Sequence, residues 1–279
     1  MQSCARIEAV MRCVVESVGL LGPGLTSWVA GESILAGRQP YLNSPPQIPR
    51  LELLPPTERR LTGATVKYAL AVGADALARS SRPARDIPTV FAASGGDGEV
   101  LHEICSTLAT SERQVSPTRF HNSVHNAPAG YFSIAMGARV ASTSLCAYDW
   151  TFAAALLEAS VQVATLYESV LLIVGDVAYP EPLRTARLVQ NSFACALLLG
   201  REGEPGLCKL EVGLEPGARP DSVVADPQLE KLRVDNPAAR ALPLLAAIAR
   251  GQSIRLAFDY LQDSTLSVGV TALSGHGHQ

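Results

Sequence analysis

Short apolar runs alternate with longer amphipathic segments along most of the chain. The runs of strand length and period predict strands at 12–21, 88–93, 141–145, 169–174, 192–199 and 207–213. Helical spacing of apolar positions predicts helices at 25–36, 57–79, 98–110, 127–137 and 150–166. Strands that alternate with helices imply an α/β fold, in which a mixed sheet is sandwiched by helices.

The pattern changes after Gly213. Residues 215–235 are polar and contain three prolines, so we expect a linker or loop over 214–235. Asn236 and Pro237 have the residue types of an N-cap and first position for a helix over 238–250, and the remaining apolar residues predict a hairpin. We therefore expect residues 12–213 to form the main part of one domain and 236–273 to complete it.

Composition excludes several classes of protein. The chain has 279 residues, is 47% hydrophobic and carries a net charge of −3, so it has a sizeable core and no basic surface for nucleic acid. The apolar run 169–176 is too short to span a bilayer, the N-terminus lacks the pattern of a signal peptide, and Met11 is a second candidate start. Scattered cysteines without a CxxC pair predict a cytoplasmic protein.

The segment 116–158 contains the candidate site. A polar stretch rich in His and Asn precedes a helix, a short strand, a turn and a second helix of small apolar residues. Such a turn can hold a nucleophile at a helix N-terminus, where N–H groups favour negative charge. Cys146 is a candidate thiol nucleophile, or else a small buried strand residue. Asp149, just before the second helix, is a candidate helix N-cap.

Two other motifs have simpler explanations. His121 and His125 have the i, i+4 spacing of metal ligands on a helix, but no carboxylate or cysteine joins them and we expect packing or interface contacts. The glycine-rich run 94–98 resembles a phosphate loop but lacks the Lys-Ser/Thr that such a loop needs, so a tight turn explains it better.

The order of these features resembles the N-terminal half of β-ketoacyl synthases, which belong to the thiolase-like superfamily. The resemblance covers most of 12–213 and depends on Ser94-Gly95-Gly96, Ser116-Pro117, Asn126, Ala129-Gly130, Gly137 and the strand Ser142 to Leu145. The runs HNSVHNAPAGY, FAAALLEA and PEPL are similar, more narrowly, to chain-length-factor homologues of aryl polyene and xanthomonadin-type pigment biosynthesis. The resemblance implies a thiolase-like fold with its second half truncated to a helix and a hairpin.

Two departures from the family pattern bear on function. A full synthase has two catalytic histidines in its second half, within His-Gly-Thr-Gly-Thr and Gly-His motifs. Here the histidines after Gly213 are His276 and His278 at the extreme terminus, outside any such motif. Ungapped alignment from Ser116 through Gly137 places the nucleophile slot on Asp149, whose carboxylate could mimic a carboxylated cysteine. The alternative, Cys146 in the slot, needs a deletion inside the strand and turn, which would disturb the strand alternation. We therefore expect no catalytic residue.

The resemblance then implies a non-catalytic, chain-length-factor-like subunit that pairs with a full-length β-ketoacyl synthase and shapes its acyl pocket. The acyl chain would be delivered on the phosphopantetheine of an acyl carrier protein, with no metal or nucleotide cofactor. Expected tunnel or interface residues, for which ordinary core packing is the alternative, are Leu101, Ile104, Cys105, Leu108, Asn126, Phe132, Trp150 and Phe152. Two alternative hypotheses are that the protein is a stand-alone acyltransferase that uses Cys146, or that it is a purely structural scaffold of the synthase.

Overall fold

A mixed sheet organises the chain. The computed structural model describes residues 10–49 and 52–273, so His276 and His278 lie outside the described residues. The strands are β1 (Met11–Leu21), β2 (Thr89–Ala92), β3 (Ser142–Leu145), β4 (Ser169–Asp176), β5 (Phe193–Arg201), β6 (Cys208–Pro216), β7 (Ile254–Tyr260) and β8 (Ser264–Ala272). The helices are α1 (Trp28–Leu35), α2 (Pro56–Leu61), α3 (Ala64–Leu77), α4 (Gly98–Leu108), α5 (Pro117–Asn122), α6 (Ala127–Met136), α7 (Thr151–Thr165), α8 (Leu183–Ala186), α9 (Pro227–Asp235) and α10 (Leu242–Ala249).

The sheet has the strand order β3-β2-β4-β5-β1-β6-β8-β7 in the described chain. Strand β2 pairs in parallel with β3 and β4, and the other pairs are antiparallel. Helices α3 and α6 pack on one face, while α1, α7 and α10 pack on the other. Strand β4 is therefore buried on both faces, as its continuous apolar sequence predicts. The predicted mixed sheet between helical layers is confirmed.

The helix predicted over 57–79 is interrupted at Thr62 and Gly63. A Cβ on Gly63 would lie 2.6 Å from Oδ2 of Asp97. That oxygen accepts hydrogen bonds from the backbone N and the hydroxyl of Thr65, and Oδ1 accepts one from the backbone N of Val100. One carboxylate thus caps the first turns of both α3 and α4. This cap gives α3 its own N-terminus, which explains why the predicted helix is divided into α2 and α3.

The segment 214–235 contains a helix where the sequence predicted a linker. Strand β6 continues to Pro216, and α9 begins after Asp226, whose carboxylate accepts hydrogen bonds from two backbone N–H groups of the first turn. Arg233 of this helix is buried and forms ion pairs with Asp221 and Glu230. The polar composition therefore reflects an ion-paired helix and loop, and the second half has one more helix than expected.

The C-terminal part follows the sequence prediction closely. Asn236 accepts a hydrogen bond from the backbone N of Ala239 at 3.1 Å, which caps the 3-10 turn that leads into α10. Gly251, with φ of +57°, follows the helix. The predicted hairpin is β7 and β8, and β8 pairs with β6, so this part extends the main sheet. Among the described residues, no helix has the length and apolarity required to cross a membrane.

Candidate functional site

The turn between β3 and α7 is as sharp as the sequence predicted. After Leu145 the chain passes through Cys146 and Ala147 into a 3-10 turn over Tyr148–Trp150. Tyr148 has φ of +53°, a strained conformation for a residue with a side chain. The hydroxyl of Thr151 donates to the carbonyl of Tyr148 at 2.7 Å and accepts from the backbone N of Ala147 at 3.1 Å. These two hydrogen bonds hold the turn in one conformation.

Cys146 lies just beyond the strand and is exposed. Its Sγ donates a hydrogen bond to the carbonyl of Ser94 at 3.0 Å. The alternative that Cys146 is a small buried strand residue is therefore wrong, because the strand ends before this residue and nothing in the described chain covers it. No hydrogen bond joins its thiol to a histidine among the described residues.

Asp149 is bound by a residue that the sequence analysis did not identify. Its Oδ1 accepts a hydrogen bond from Nη2 of Arg187 at 2.9 Å. The guanidinium of Arg187 also lies 3.6 Å from the centre of the Tyr148 ring. Helix α7 has no side-chain cap, so the N-cap interpretation of Asp149 is wrong; its carboxylate is directed to Arg187 instead.

A buried acid lies behind this turn, at the end of β4. Oδ1 of Asp176 accepts hydrogen bonds from the backbone N and the hydroxyl of Ser94, both at 2.8 Å. Its Oδ2 and Nε of Arg187 are buried without a hydrogen-bond partner in the described chain. Burial raises the pKa of Asp176, although the Ser94 hydrogen bonds and the charge of Arg187 act in the opposite direction. Arg187 therefore faces both an exposed and a buried carboxylate.

The glycines of the 94–98 run make room for Tyr179. A Cβ on Gly95 would lie 2.5 Å from the Tyr179 hydroxyl oxygen, and one on Gly98 would lie 2.7 Å from its ring. Neither glycine has positive φ. Close packing against Tyr179 therefore accounts for Gly95 and Gly98, and the chain bends over residues 94–96, in agreement with the predicted turn. Burial is also the main reason why the pKa of Tyr179 is raised.

Trp150 and Phe152 connect the start of α7 to the C-terminal hairpin. Nε1 of Trp150 donates to Oδ2 of Asp259 at 2.8 Å, and the ring of Phe152 meets that of Phe258 edge-on at 5.2 Å. Phe132 is also buried, but in the core on the other face of the sheet. The structure therefore does not bring Phe132 and Phe152 together.

Helix α4 presents its apolar face to solvent. Leu101 and Leu108 are 49% and 48% exposed, Cys105 is exposed and Ile104 is half-buried. Asn126 is exposed at the start of α6. The apolar face of α4 is open to solvent because, among the described elements, this helix packs mainly against the short helix α5.

The two candidate metal ligands are not paired. Helix α5 ends at Asn122, so His121 and His125 do not share a helix. A ring nitrogen of His125 contacts the carbonyl of Ala93 at 3.4 Å, and His121 packs edge-on against Tyr131. No group of side chains suited to a metal ion occurs in the described part of the chain.

An open groove of about 860 Å³, which was not predicted from the sequence, begins at the turn. One wall is α7, with Ala154, Leu157, Glu158 and Val161, and the other is formed by the ends of β6 and the β7–β8 hairpin. The i, i+3, i+4, i+7 spacing of the four α7 residues places them on one face of the helix, and this spacing is the sign of the groove that the sequence contains. The opposite wall depends on where the hairpin packs, which no local pattern predicts.

Comparisons with known proteins agree with this geometry. The family model "Beta-ketoacyl synthase, N-terminal domain" matches residues 36–255. The fold matches a chain of the ketosynthase ApeO in complex with its chain length factor ApeC from Xenorhabdus doucetiae, with TM-score 0.70, 19% identity, and coverage of 93% of this chain and 99% of that one. A search of curated proteins gave no match.

Two further complexes have the same fold. A chain of the AntDE:AntF complex, a type II polyketide synthase acyl-carrier protein with its ketosynthase bound to a hexaketide, matches with TM-score 0.73 and 14% identity over 95% of this chain and 100% of that chain. The ishigamide ketosynthase/chain length factor matches with TM-score 0.70 and 12% identity over 95% and 100%. At these identities the likeness establishes the thiolase-like ketosynthase fold.

Proposed function

Because the chain belongs to the family of β-ketoacyl synthase N-terminal domains, we propose that it is a non-catalytic, chain-length-factor-like subunit of a β-ketoacyl synthase. The observation that carries this proposal is the ion pair between Asp149 and Arg187 at the family's nucleophile turn. The strand, turn and helix of the family's nucleophile turn are present. The predicted nucleophile position holds Asp149, whose carboxylate is paired with Arg187.

Condensation needs a thiolate that accepts the acyl group and donors that hold the enolate formed from a malonyl thioester. A carboxylate paired with Arg187 cannot supply the first of these. Cys146 has no histidine partner in the described chain. The proposal therefore assigns the catalytic cysteine and both histidines to a full-length synthase that forms a pair with this chain.

The exposed surface beside the turn supports a partner. Strand β3 is the last strand of the sheet, so one of its edges has no strand partner within the described chain. Leu101 and Leu108 of α4 and Phe120 of α5 are further exposed apolar side chains on the surface of the described chain. Exposed apolar groups and an open strand edge favour a pseudo-symmetric contact between related folds, with α6 and α7 flanking the edge.

The finer parts of the proposal concern substrate and product. The pair would extend a polyene chain carried on the phosphopantetheine of an acyl carrier protein, in aryl polyene type pigment or lipid biosynthesis in the cytoplasm. The matched complexes, which include a chain length factor and an acyl-carrier protein, support the carrier and the control of length. The similarity of the runs HNSVHNAPAGY, FAAALLEA and PEPL supports the polyene class. In this scheme this protein forms the far wall of the synthase's acyl pocket and thereby limits the length of the product.

Co-expression with a full-length synthase tests the proposal. We expect a heterocomplex in size-exclusion chromatography and polyene products of defined length. Leu101→Trp or Ile104→Trp should shorten the product while the complex still forms, and Val29→Trp on the exposed side of α1 is the matched control. Unchanged product length in both α4 variants would instead favour a structural scaffold.

One observation favours a second candidate, a stand-alone acyltransferase. The exposed Cys146 lines the groove of about 860 Å³, which has room for an acyl chain. Cys146→Ala separates the two functions, since it would abolish transfer by a lone enzyme and leave a chain-length subunit nearly unchanged. Turnover of acyl thioesters by the isolated wild-type chain would refute the main proposal.

A further inference from the structure

We propose that the groove beside α7 binds a positively charged amphipathic helix of the partner synthase. This inference rests on the proposed function and extends it, because it names a contact surface and the chemistry of the segment that fills it. The groove lies between α7, the end of β6 and the tip of the β7–β8 hairpin.

The floor of the groove is the end of β6, where the apolar face of the strand continues beyond the helices that cover it. On β6, Leu210 and Val212 are fully buried, and Leu214 on the same face is 43% exposed. The helical layer that covers this face therefore stops before the strand does. Apolar surface that continues from the core into an open groove favours an apolar occupant.

The wall formed by α7 is long enough for a short helix to pack against it. Ala154, Leu157, Glu158 and Val161 lie on one face of α7, at positions i, i+3, i+4 and i+7. At 1.5 Å per residue this face is about 10 Å long, which is about two turns. Val161 at its far end is 36% exposed. A helix lying in the groove would pack against this wall along both turns.

The charge of the groove selects a basic occupant. Three acids line it, Glu158, Glu215 and Asp263, and no Lys or Arg does. Glu215 is paired with Arg219 at 2.6 Å and with Arg255 at 3.9 Å. Glu158 accepts a hydrogen bond from Gln162 at 2.8 Å, and neither Glu158 nor Asp263 has an ion pair among the described residues. Lys or Arg side chains can lay their aliphatic stems on the apolar floor and reach these two carboxylates.

The groove is continuous with the free edge of the sheet. Its near end is formed by Leu145 and Cys146, where β3 ends, and Gln162 of α7 also donates to the hydroxyl of Thr143 on β3 at 3.1 Å. A partner that pairs with the β3 edge would thus bring its next element to the groove. In a pseudo-two-fold arrangement, that element is the helix after the partner's own edge strand.

Affinity measurements on the purified complex test the charge. The double variant Glu158→Lys/Asp263→Lys should weaken the Kd for the synthase at least tenfold at low salt, with a smaller loss at high salt. The control Asp86→Lys/Glu202→Lys makes the same charge change at exposed acids outside the groove and should leave the Kd within about twofold. Equal effects of both pairs would overturn the inference.

Photo-crosslinking tests the occupant directly. A benzoylphenylalanine at position 161 should crosslink to a Lys- or Arg-containing helix of the synthase, while the same group at position 29 should not. Crosslinks to residues 1–9 of this chain, crosslinks to the acyl carrier protein, or none would each overturn the inference. If the wild-type complex forms and the charge and crosslinking results are negative, the groove assignment alone fails. If no complex forms, the proposed function fails as well.

Discussion

The guanidinium of Arg187 lies 3.6 Å from the ring centre of Tyr148, the residue with positive φ in the turn between β3 and α7. A strained residue persists only where its surroundings hold it. Here the support comes from the loop between β4 and β5, which supplies Arg187, and from the ion pair of Arg187 with Asp149. The turn is therefore held from one side by a cation.

Arg187→Gln should destabilise the fold by about 1–3 kcal/mol, because it removes the charged hydrogen bond to Asp149 and the contact of the guanidinium with the Tyr148 ring. Arg184→Gln, which breaks an exposed ion pair with Glu181 in the same loop, should have a much smaller effect on the free energy of unfolding. Urea denaturation of both variants measures the difference. Equal effects would show that Arg187 acts as an ordinary surface cation.

Asp176 should make the stability of the protein depend on pH. Burial raises its folded-state pKa, so the native state binds this proton more tightly than the unfolded chain does. The resulting stability is complete below about pH 4, the unfolded value, and is lost as the pH rises through the folded pKa. Asp176→Asn removes the titration, so its unfolding free energy relative to wild type should increase as the pH rises above about pH 4 and through the folded pKa of Asp176. A constant difference across that range in urea titrations would contradict the assignment.

The described cysteines should fall into two classes of reactivity. Burial raises the pKa of Cys13 to about 11 and those of Cys195 and Cys208 to about 12, whereas Cys105 and Cys146 are exposed. At about pH 8 a maleimide should label the exposed pair within minutes and the buried three only on unfolding. Peptide mass spectrometry identifies each site, and rapid labelling of Cys195 in the native protein would be inconsistent with the core.

Trp150 and Asp259 should be energetically coupled. Trp150→Phe and Asp259→Ala each remove the 2.8 Å hydrogen bond between α7's start and β7, so a double-mutant cycle should give a coupling of about 1 kcal/mol. Denaturation of the wild type, both single variants and the double variant supplies the cycle. Additive effects would mean that the hairpin does not position the turn through this bond.

Local signals in the sequence predicted the strands and several helix ends. Asn236 caps its helical turn through a neighbouring backbone N–H, and β4 is a continuous apolar run, so each is visible within a few residues. Helix α9 was missed because its polar residues are paired in space, as Arg233 is with Asp221 twelve positions away. Composition alone cannot distinguish such a helix from a linker.

The candidate site was predicted only as far as one segment of chain could show it. The strand, turn and helix that place Cys146 and Asp149 are contiguous, and they were predicted. Arg187 lies 38 positions from Asp149 and belongs to no motif, so the contact that distinguishes this turn was invisible. The same holds for the groove, whose two walls meet only after β6 and the hairpin have paired.

The position of β1 between β5 and β6 sets the order in which this chain can fold during synthesis. Val14 pairs with Gly200 on one side and Lys209 on the other, so β1 leaves the ribosome before both of its neighbours. Until about residue 201 has emerged, both edges of β1 are open, and the edge that pairs with β6 stays open until that strand follows. Open strand edges invite pairing with other nascent chains. High contact order of this kind slows folding and favours chaperone dependence, and co-translational supply of a partner would not remove it.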